Sequence, residues 1–209
     1  MAHEDTGILG ELAGFHTDRM ARHGATSQGA GWNGDDAQRV RFEQVCKVLD
    51  PAGGFSVYDL GCGYGALLDH LRPRFADVDY TGCDVTPAMI EAARERHAGD
   101  ARARFVLGSE PPASDYGIAS GIFSLRFGHS DAEWRRHVEA TLDLIDRTSR
   151  RGFAFNSLTK YSDADRMRDE LYYADPGALF DLCKRKYSRN VALLHDYDLY
   201  DFTILVRKS

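Results

Sequence analysis

The stretch VYDLGCGYGALLDHL, residues 57–71, decides the fold of this 209-residue chain. A hydrophobic run ending in an acid is followed by three glycines at alternate positions and then by helical apolar spacing. The acid is Asp59, and the glycines are Gly61, Gly63 and Gly65. Glycines at a strand-to-helix turn let the backbone approach a ligand closely, and the first helical turn presents free N–H groups. The stretch therefore predicts a ligand-binding turn.

The spacing of the glycines bears on the charge of that ligand. It is GxGxG rather than the GxGxxG of dinucleotide sites, and Asp59 precedes the first glycine by two residues. A pyrophosphate favours a helix N-terminus without a nearby carboxylate, so Asp59 suits a ligand that carries a cation. In YTGCDVTPAMIEAARER, Asp84 ends the next β-rich run about twenty residues later, where a carboxylate can accept both ribose hydroxyls.

Short β-rich runs alternate with helical runs from Phe55 onward, which is the pattern of βαβ units and a parallel sheet. The predicted strands span residues 55–60, 79–83, 103–107, 116–122, 152–157, 190–195 and 201–207. The predicted helices span residues 6–22, 35–49, 66–75, 87–97, 131–148 and 177–186. The link DYDLY is too short for a crossover helix, so the last two strands are predicted to pair antiparallel.

The chain is expected to form one α/β domain over residues 35–209, preceded by a helical arm and a glycine-rich lid over residues 1–34. A formal net charge of −6 does not provide the positive field that binds phosphate backbones or anionic lipid. No window approaches the ~18 apolar residues of a membrane span, and the four cysteines lack metal-ligand spacing. We therefore expect a cytoplasmic protein acting on a small molecule, with no nucleic-acid or membrane partner and no metal. The oligomeric state is left open.

The glycine motif and the second acid resemble those of the class I S-adenosylmethionine-dependent methyltransferases. The resemblance implies a Rossmann-like α/β fold: a seven-stranded, mostly parallel sheet that ends in an antiparallel hairpin, with helices on both faces. It implies S-adenosylmethionine as the cofactor. The residues that it places around this cofactor are Asp59, Gly61, Gly63, Gly65, Asp84, Val85, Ser109, Glu110 and Ser120.

The remainder of the chain resembles a subgroup of small bacterial methyltransferases of surface-sugar or secondary-metabolite pathways. The segments that carry this likeness are HGATSQGAGWN, FAFNSLTKYSD, YYADPGALFD and LHDYDLYDFTILVRK. After the fourth strand the chain reads ASGIFSLRFGH instead of the (Asn/Asp)-Pro-Pro-(Tyr/Phe) motif of many amino-group methyltransferases, which argues against nucleobase methylation.

Three functions are compatible with this resemblance. The first is methyl transfer to a small-molecule acceptor. The second is a cyclase in which the cofactor's own amine closes azetidine-2-carboxylate and releases methylthioadenosine. The third is cofactor binding without turnover.

Polar residues near the ends of the later strands are candidates for the acceptor site, because ligands of open α/β sheets bind outside the carboxyl ends of the strands. A base there would take the proton of the acceptor. The candidate catalytic residues are Tyr172, Tyr173, Asn156 and His195. The candidate substrate residues are Trp32, Arg126, Ser157, Tyr161 and Asp175. Trp32 belongs to the predicted lid, which is expected to exclude water from the reaction.

Overall fold

The computed structural model of the chain describes residues 5–50, 52–75 and 77–208. The helices are α1 (Asp5–His23), α2 (Asp35–Val45), α3 (Ala66–Leu71), α4 (Pro87–Arg96), α5 (Asp131–Thr148) and α6 (Pro176–Lys186). The strands are β1 (Phe55–Leu60), β2 (Val78–Asp84), β3 (Ala103–Leu107), β4 (Ser114–Ala119), β5 (Ser149–Leu158), β6 (Asn190–Leu194) and β7 (Asp201–Arg207). Two short 3₁₀ turns occupy Cys46–Val48 and Ala164–Arg166.

All seven strands join one sheet in the order β3-β2-β1-β4-β5-β7-β6. The first five strands pair in parallel, whereas β7 pairs antiparallel with both β5 and β6. The predicted fold, including its terminal hairpin, is confirmed. The strand order reverses between β1 and β4, and ligands of open α/β sheets bind at such a switch point.

The sheet is covered on both faces by helices that bury an apolar stripe. One core packs α2, α3 and α4 against side chains such as Val57 and Tyr80. The other packs α1, α5 and α6 against Tyr58 and Phe153. In α5, a Ser130–Glu133 capping box begins the helix, and its fully buried stripe includes Trp134. β1 is buried along most of its length, which explains why it reads as a nearly continuous hydrophobic run.

The end of β4 differs from the prediction in a way that matters for the site. The predicted strand 116–122 leaves the sheet after Ala119, because Gly121 has a φ of +84° and donates its N–H to Asn156 Oδ1 at 2.7 Å. A sequence of apolar residues continues through this turn, which is why periodicity alone extends the strand. Residues 120–122 are thereby directed to the carboxyl edge of the sheet.

Across the part of the chain that the structure describes, every helix is too short or too polar to cross a membrane.

Candidate functional site

A cavity of about 370 Å³ lies at the carboxyl ends of β1, β2 and β4, at the switch point of the sheet. Its volume falls within the roughly 300–1,000 Å³ of small-molecule and cofactor sites. One side of the lining comes from the turns that follow the strands. Further lining comes from one face of α5, and from α1 and the loop of residues 24–34, which together we call the N-terminal arm.

The glycine turn after β1 has two different roles. Gly61 and Gly63 line the cavity with φ values of +76° and +54°, a region that glycine adopts without strain. A methyl group at Gly61 would also collide with Ile122. Gly65 begins α3 instead, and a methyl group there would lie 2.9 Å from His97 Nε2, so this glycine permits close packing of the helix.

Asp84 is held rigidly at the end of β2. Its Oδ2 accepts the N–H of Gly63 at 2.9 Å, and its Oδ1 accepts the N–H of Thr86 at 2.8 Å. Each oxygen of an ionised carboxylate has a further acceptor position, so the cavity-lining Asp84 can still accept hydrogen bonds from two adjacent hydroxyls.

Asp59 lies deeper in the cavity wall and is only 3% exposed. Burial raises its pKa to about 7, while the hydrogen bond from the Tyr80 hydroxyl, 2.7 Å from Oδ2, lowers it and the charge of Asp84 raises it. The carboxyl group is therefore close to half ionised at neutral pH. A cation placed beside it would favour the ionised form.

Trp32 places the tip of the N-terminal arm in the wall of the cavity. The Trp32 ring packs so closely on Gly121 that a methyl group there would lie 2.6 Å from Trp32 Cζ2. The guanidinium of Arg41 lies 4.8 Å from the Trp32 ring centroid and forms a buried ion pair with Asp201 at the start of β7. The backbone N–H of Trp32 is bonded to Ser27 O at 2.8 Å. The indole is therefore fixed between the sheet and α2.

Asn156 supports the wall of the cavity from β5. Its Oδ1 accepts the Gly121 N–H at 2.7 Å, and its Nδ2 donates to Ser120 Oγ at 3.0 Å. Asn156 is fully buried and behind the lining, so in this structure it orients two residues that do line the cavity.

The structure brings most of the predicted cofactor residues together. Those that line the cavity are Asp59, Gly61, Gly63, Asp84, Val85, Ser109, Glu110 and Ser120, and the predicted substrate residue Trp32 joins them. Gly65 lies outside the lining, in the packing contact described above.

The other predicted acceptor-site residues lie outside this lining, and their roles stay predictions. Asp175 caps α6 and pairs with Lys160 at 2.6 Å. The Tyr173 hydroxyl accepts the Arg168 N–H at 3.0 Å.

Tyr172 is half-buried against the core around α5. The guanidinium of Arg126 donates to Leu171 O and Asp131 Oδ1. The ring of Tyr161, 68% exposed, lies near that of the exposed His195. Ser157 is buried, and its Oγ has no hydrogen-bond partner among the residues that the structure describes.

Several lining residues were not anticipated from the sequence. They include His16, Gln38, Phe42, Tyr64, Met89, Ile122 and His137. A signal for His16 was present: it follows Leu9 and Leu12 at helical spacing, and a histidine that continues an apolar stripe faces the protein interior. Gln38 accepts a hydrogen bond from the Tyr64 hydroxyl at 3.1 Å, a contact between two elements that no local pattern indicates.

The strand order and directions of the sheet, with a glycine turn after β1 and an acid at the end of β2, are those of the class I methyltransferase fold. A family model described as "Methyltransferase domain" matches residues 58–125. "Putative methyltransferase Rv1506c" of Mycobacterium tuberculosis (strain ATCC 25618 / H37Rv) is 58% identical over 164 residues, which cover 78% of this chain and 99% of that protein. The chain belongs to the class I S-adenosylmethionine-dependent methyltransferases.

Two solved structures share the fold. A crystal structure of human N-acetylserotonin methyltransferase in complex with S-adenosylmethionine has a TM-score of 0.65 and 17% identity, covering 97% of this chain and 59% of that one. The magnesium protoporphyrin IX methyltransferase of Synechocystis PCC 6803 with bound S-adenosylmethionine has a TM-score of 0.64 and 15% identity, covering 100% and 99%. At these identities the likeness establishes the fold, and this chain spans 59% of the length of the human protein.

Proposed function

We propose that this enzyme transfers the methyl group of S-adenosylmethionine to a small-molecule acceptor within the cavity between the glycine turn and the N-terminal arm. The observation that carries the proposal is that Asp59, the glycine turn, Asp84 and Trp32 all face this one cavity. These residue types fit a cofactor with a cationic half and a ribose.

The proposed cofactor contacts follow from the geometry of the lining. Gly61 and Gly63 let the backbone approach the methionine half, and Asp59, in the same lining, is the proposed partner for its positive charge. Asp84 accepts the ribose hydroxyls, because Gly63 and Thr86 hold its carboxylate in place. Ser109 and Glu110, which follow β3, are proposed to contact the adenine. The cofactor supplies a methyl group that is electrophilic because it is bonded to a positively charged sulfur.

The chain's contribution to the transfer is alignment and exclusion of water, which can supply a large share of the rate of a displacement reaction. Trp32 forms part of the cavity wall at the end of β4, where Asn156 orients Ser120 and Gly121. We place the acceptor against this wall. The indole face would also attract a cation by about 0.5–2 kcal/mol. On this view the loop of residues 24–34 is the lid.

The acceptor is proposed to be a small molecule of surface-sugar or secondary metabolism, modified in the cytoplasm. The subgroup resemblance supports this class, and the net charge of −6 supports it over a polyanion. Methyl transfer is favoured over the cyclase alternative by the methyltransferase family match and by the 58% identical relative.

The identity of the adenosine product tests the proposal. The purified protein is incubated with S-adenosylmethionine alone and then with a panel of small amines, phenols and sugars. S-adenosylhomocysteine that forms only with an acceptor supports methyl transfer. Methylthioadenosine that forms without an acceptor would establish the cyclase alternative. If S-adenosylmethionine binds but neither product forms with any compound of the panel, the hypothesis of cofactor binding without turnover would be favoured.

A matched pair of variants ties the activity to the site. Asp84→Asn replaces an acceptor oxygen with a donor and is expected to weaken cofactor binding at least tenfold. Asp79→Asn changes an exposed carboxylate on the same strand, with 72% of its side chain accessible, and is expected to leave binding unchanged. Equal affinities of both variants and the unaltered protein, measured by calorimetry, would contradict the assignment of the ribose site.

A further inference from the structure

Ser120 is the first residue after β4, in the turn that lines the cavity. The fully buried Asn156 of β5 holds this turn through both ends of its side-chain amide. Asn156 Oδ1 accepts the N–H of Gly121 at 2.7 Å, and because a backbone N–H can only donate, this contact fixes which end of the amide is oxygen. The amide nitrogen is therefore the end that faces Ser120, and it donates to Ser120 Oγ at 3.0 Å.

The contact with Asn156 determines how the Ser120 hydroxyl can be used. An amide nitrogen does not accept hydrogen bonds, so Ser120 Oγ spends a lone pair on Asn156 and its own proton points elsewhere. Among the residues that the structure describes, this proton has no acceptor. Ser120 is only 8% exposed, but it belongs to the cavity lining, so the cavity is where an acceptor atom can reach it. The Ser120 hydroxyl is thus oriented as a donor to a ligand.

The charged side chains of the lining divide between two sides of the cavity. The carboxylates of Asp59, Asp84 and Glu110 belong to the ends of β1 and β2 and to the turn after β3. Within the described chain, the turn after β4 and the flank of α5 add no carboxylate to the lining, but they add Ser120 and the exposed Arg147. Long side chains of a helix point back toward its N-terminus, which for α5 is the end nearest the site. An anion is therefore opposed on the cofactor side and favoured on the β4 side.

We propose that the methyl acceptor is a carboxylic acid bound as its carboxylate, with the Ser120 hydroxyl donating to one carboxylate oxygen while the other oxygen attacks the methyl group. This inference rests on the proposed function. The attacking oxygen forms a C–O bond to the methyl carbon as the C–S bond breaks, and the electron pair of the C–S bond goes to sulfur. The products are a methyl ester and S-adenosylhomocysteine. No proton leaves the acceptor, so the step needs no base.

Four variants test the donor. Ser120→Ala removes the hydroxyl, and Ser120→Thr restores one at the same position. Asn156→Asp leaves Ser120 in place but replaces Nδ2 with an acceptor oxygen, toward which the Ser120 hydroxyl would turn its proton. Ser124→Ala is the matched control, because Ser124 follows the same strand but lies outside the lining. Unfolding midpoints show which variants fold, and Ser120→Ala keeps the test decisive if the buried charge of Asn156→Asp prevents folding.

The probes are hexanoate, benzoate and gluconate, each compared with the alcohol and the amine of the same carbon skeleton. We expect S-adenosylhomocysteine and an alkali-labile methyl ester to form with an acid, and no methyl transfer to the matching alcohol or amine. For the best acid, Ser120→Ala and Asn156→Asp should lower kcat/KM by about tenfold or more, because the lost hydrogen bond is to a charged group. Ser120→Thr should recover most of this loss. Ser124→Ala should show none of it, and Ser120→Ala should bind S-adenosylmethionine within about twofold of the unaltered protein.

The outcomes separate this inference from the proposed function. Methyl transfer to an alcohol or an amine but to none of the acids overturns the inference, while the proposed function stands. A loss in Ser120→Ala that is confined to the affinity for S-adenosylmethionine assigns the hydroxyl to the carboxylate of the cofactor's methionine half, and also overturns it. If no acid, alcohol or amine yields S-adenosylhomocysteine, the proposed function and this inference fail together.

Discussion

Cofactor affinity is expected to fall steeply as the pH drops below 7, because Asp59 must give up its proton to receive a cation. In the free protein, burial raises the pKa of Asp59 to about 7. A bound ammonium or sulfonium group favours the carboxylate and so lowers this pKa in the complex. Binding therefore releases a proton, and by linkage the affinity is greatest above pH 7 and is lost as the pH falls through that value.

The size of the effect follows from the ionised fraction of Asp59. With a pKa of about 7, roughly three quarters of the carboxyl groups are ionised at pH 7.5 and about 3% at pH 5.5. The dissociation constant of S-adenosylmethionine should rise about 25-fold between these two values, which corresponds to about 1.9 kcal/mol. The upper limit of pH 7.5 keeps most of the α-amino group of the cofactor protonated, since such groups titrate near 7.7–8.0.

The assay is isothermal calorimetry across this range with two ligands and three proteins. Methylthioadenosine carries neither the sulfonium nor the ammonium group, so its affinity should not follow the ionisation of Asp59. Any pH dependence that arises from groups around the ribose is common to both ligands and cancels when their profiles are compared. Asp59→Asn should bind S-adenosylmethionine with a nearly flat profile. Tyr80→Phe should shift the profile to higher pH, because the Tyr80 hydrogen bond lowers the pKa of Asp59.

Two results would refute this reasoning. A flat profile for S-adenosylmethionine in the unaltered protein would mean that Asp59 does not sense the cation. The same slope in Asp59→Asn would assign the proton to another group.

Two further predictions concern the contacts that hold the N-terminal arm against the sheet. Gly121→Ala should displace the Trp32 ring, because its new methyl group would lie 2.6 Å from Cζ2 at a φ of +84°. The variant should change the tryptophan fluorescence and weaken cofactor binding at least fivefold. Gly128→Ala should do neither, because nothing lies within 4 Å of a methyl group at that position. Arg41→Met should lower the free energy of unfolding in urea by about 3–5 kcal/mol because it leaves Asp201 buried without its ion-pair partner, whereas a loss below about 1 kcal/mol would show that the pair is dispensable.

The glycine turn and the two acids could be placed at one cavity from the sequence because their positions depend on local sequence. The βαβ pattern places the carboxyl ends of β1, β2 and β3 at one edge, and a residue in the last two positions of a strand or just past its end lies near that edge. Asp59, Asp84 and Ser109 follow this rule and line the cavity. Gly65 shows the limit of reasoning from local sequence. It belongs to the same glycine motif, but a side chain there is excluded by the close approach of His97, which follows α4 and is not indicated by the glycine spacing.

The acceptor side could not be predicted in the same way. Being at a strand end does not tell whether a polar side chain is free for a ligand. Asp175 lies near the expected edge, but it is occupied by the cap of α6 and by Lys160. The side-chain amide of Asn156 is already hydrogen-bonded to the backbone N–H of Gly121 and to the hydroxyl of Ser120, in the turn that follows β4. The partners of Asn156 lie 35 and 36 residues away in sequence, and a single sequence carries no signal for them.

In the glycine-rich segment of the arm, the structure shows a role for the glycines that composition alone does not indicate. The glycines predict a hinged lid, but their geometry here is that of a tight turn: a methyl group at Gly29 would collide with Gly24 O, and Gly31 has a φ of +91°. The turn directs Trp32 onto the end of β4.

What holds the indole there is the pair Arg41–Asp201, whose members are 160 residues apart in sequence. The glycines thus allow the loop to reach the cavity, while a buried ion pair joining α2 and β7 positions its tip. The position of Trp32 in the cavity wall therefore depends on the stability of the folded sheet as well as on the conformation of the loop. For that reason Arg41→Met should affect cofactor binding and unfolding together, whereas Gly121→Ala should affect binding more than unfolding.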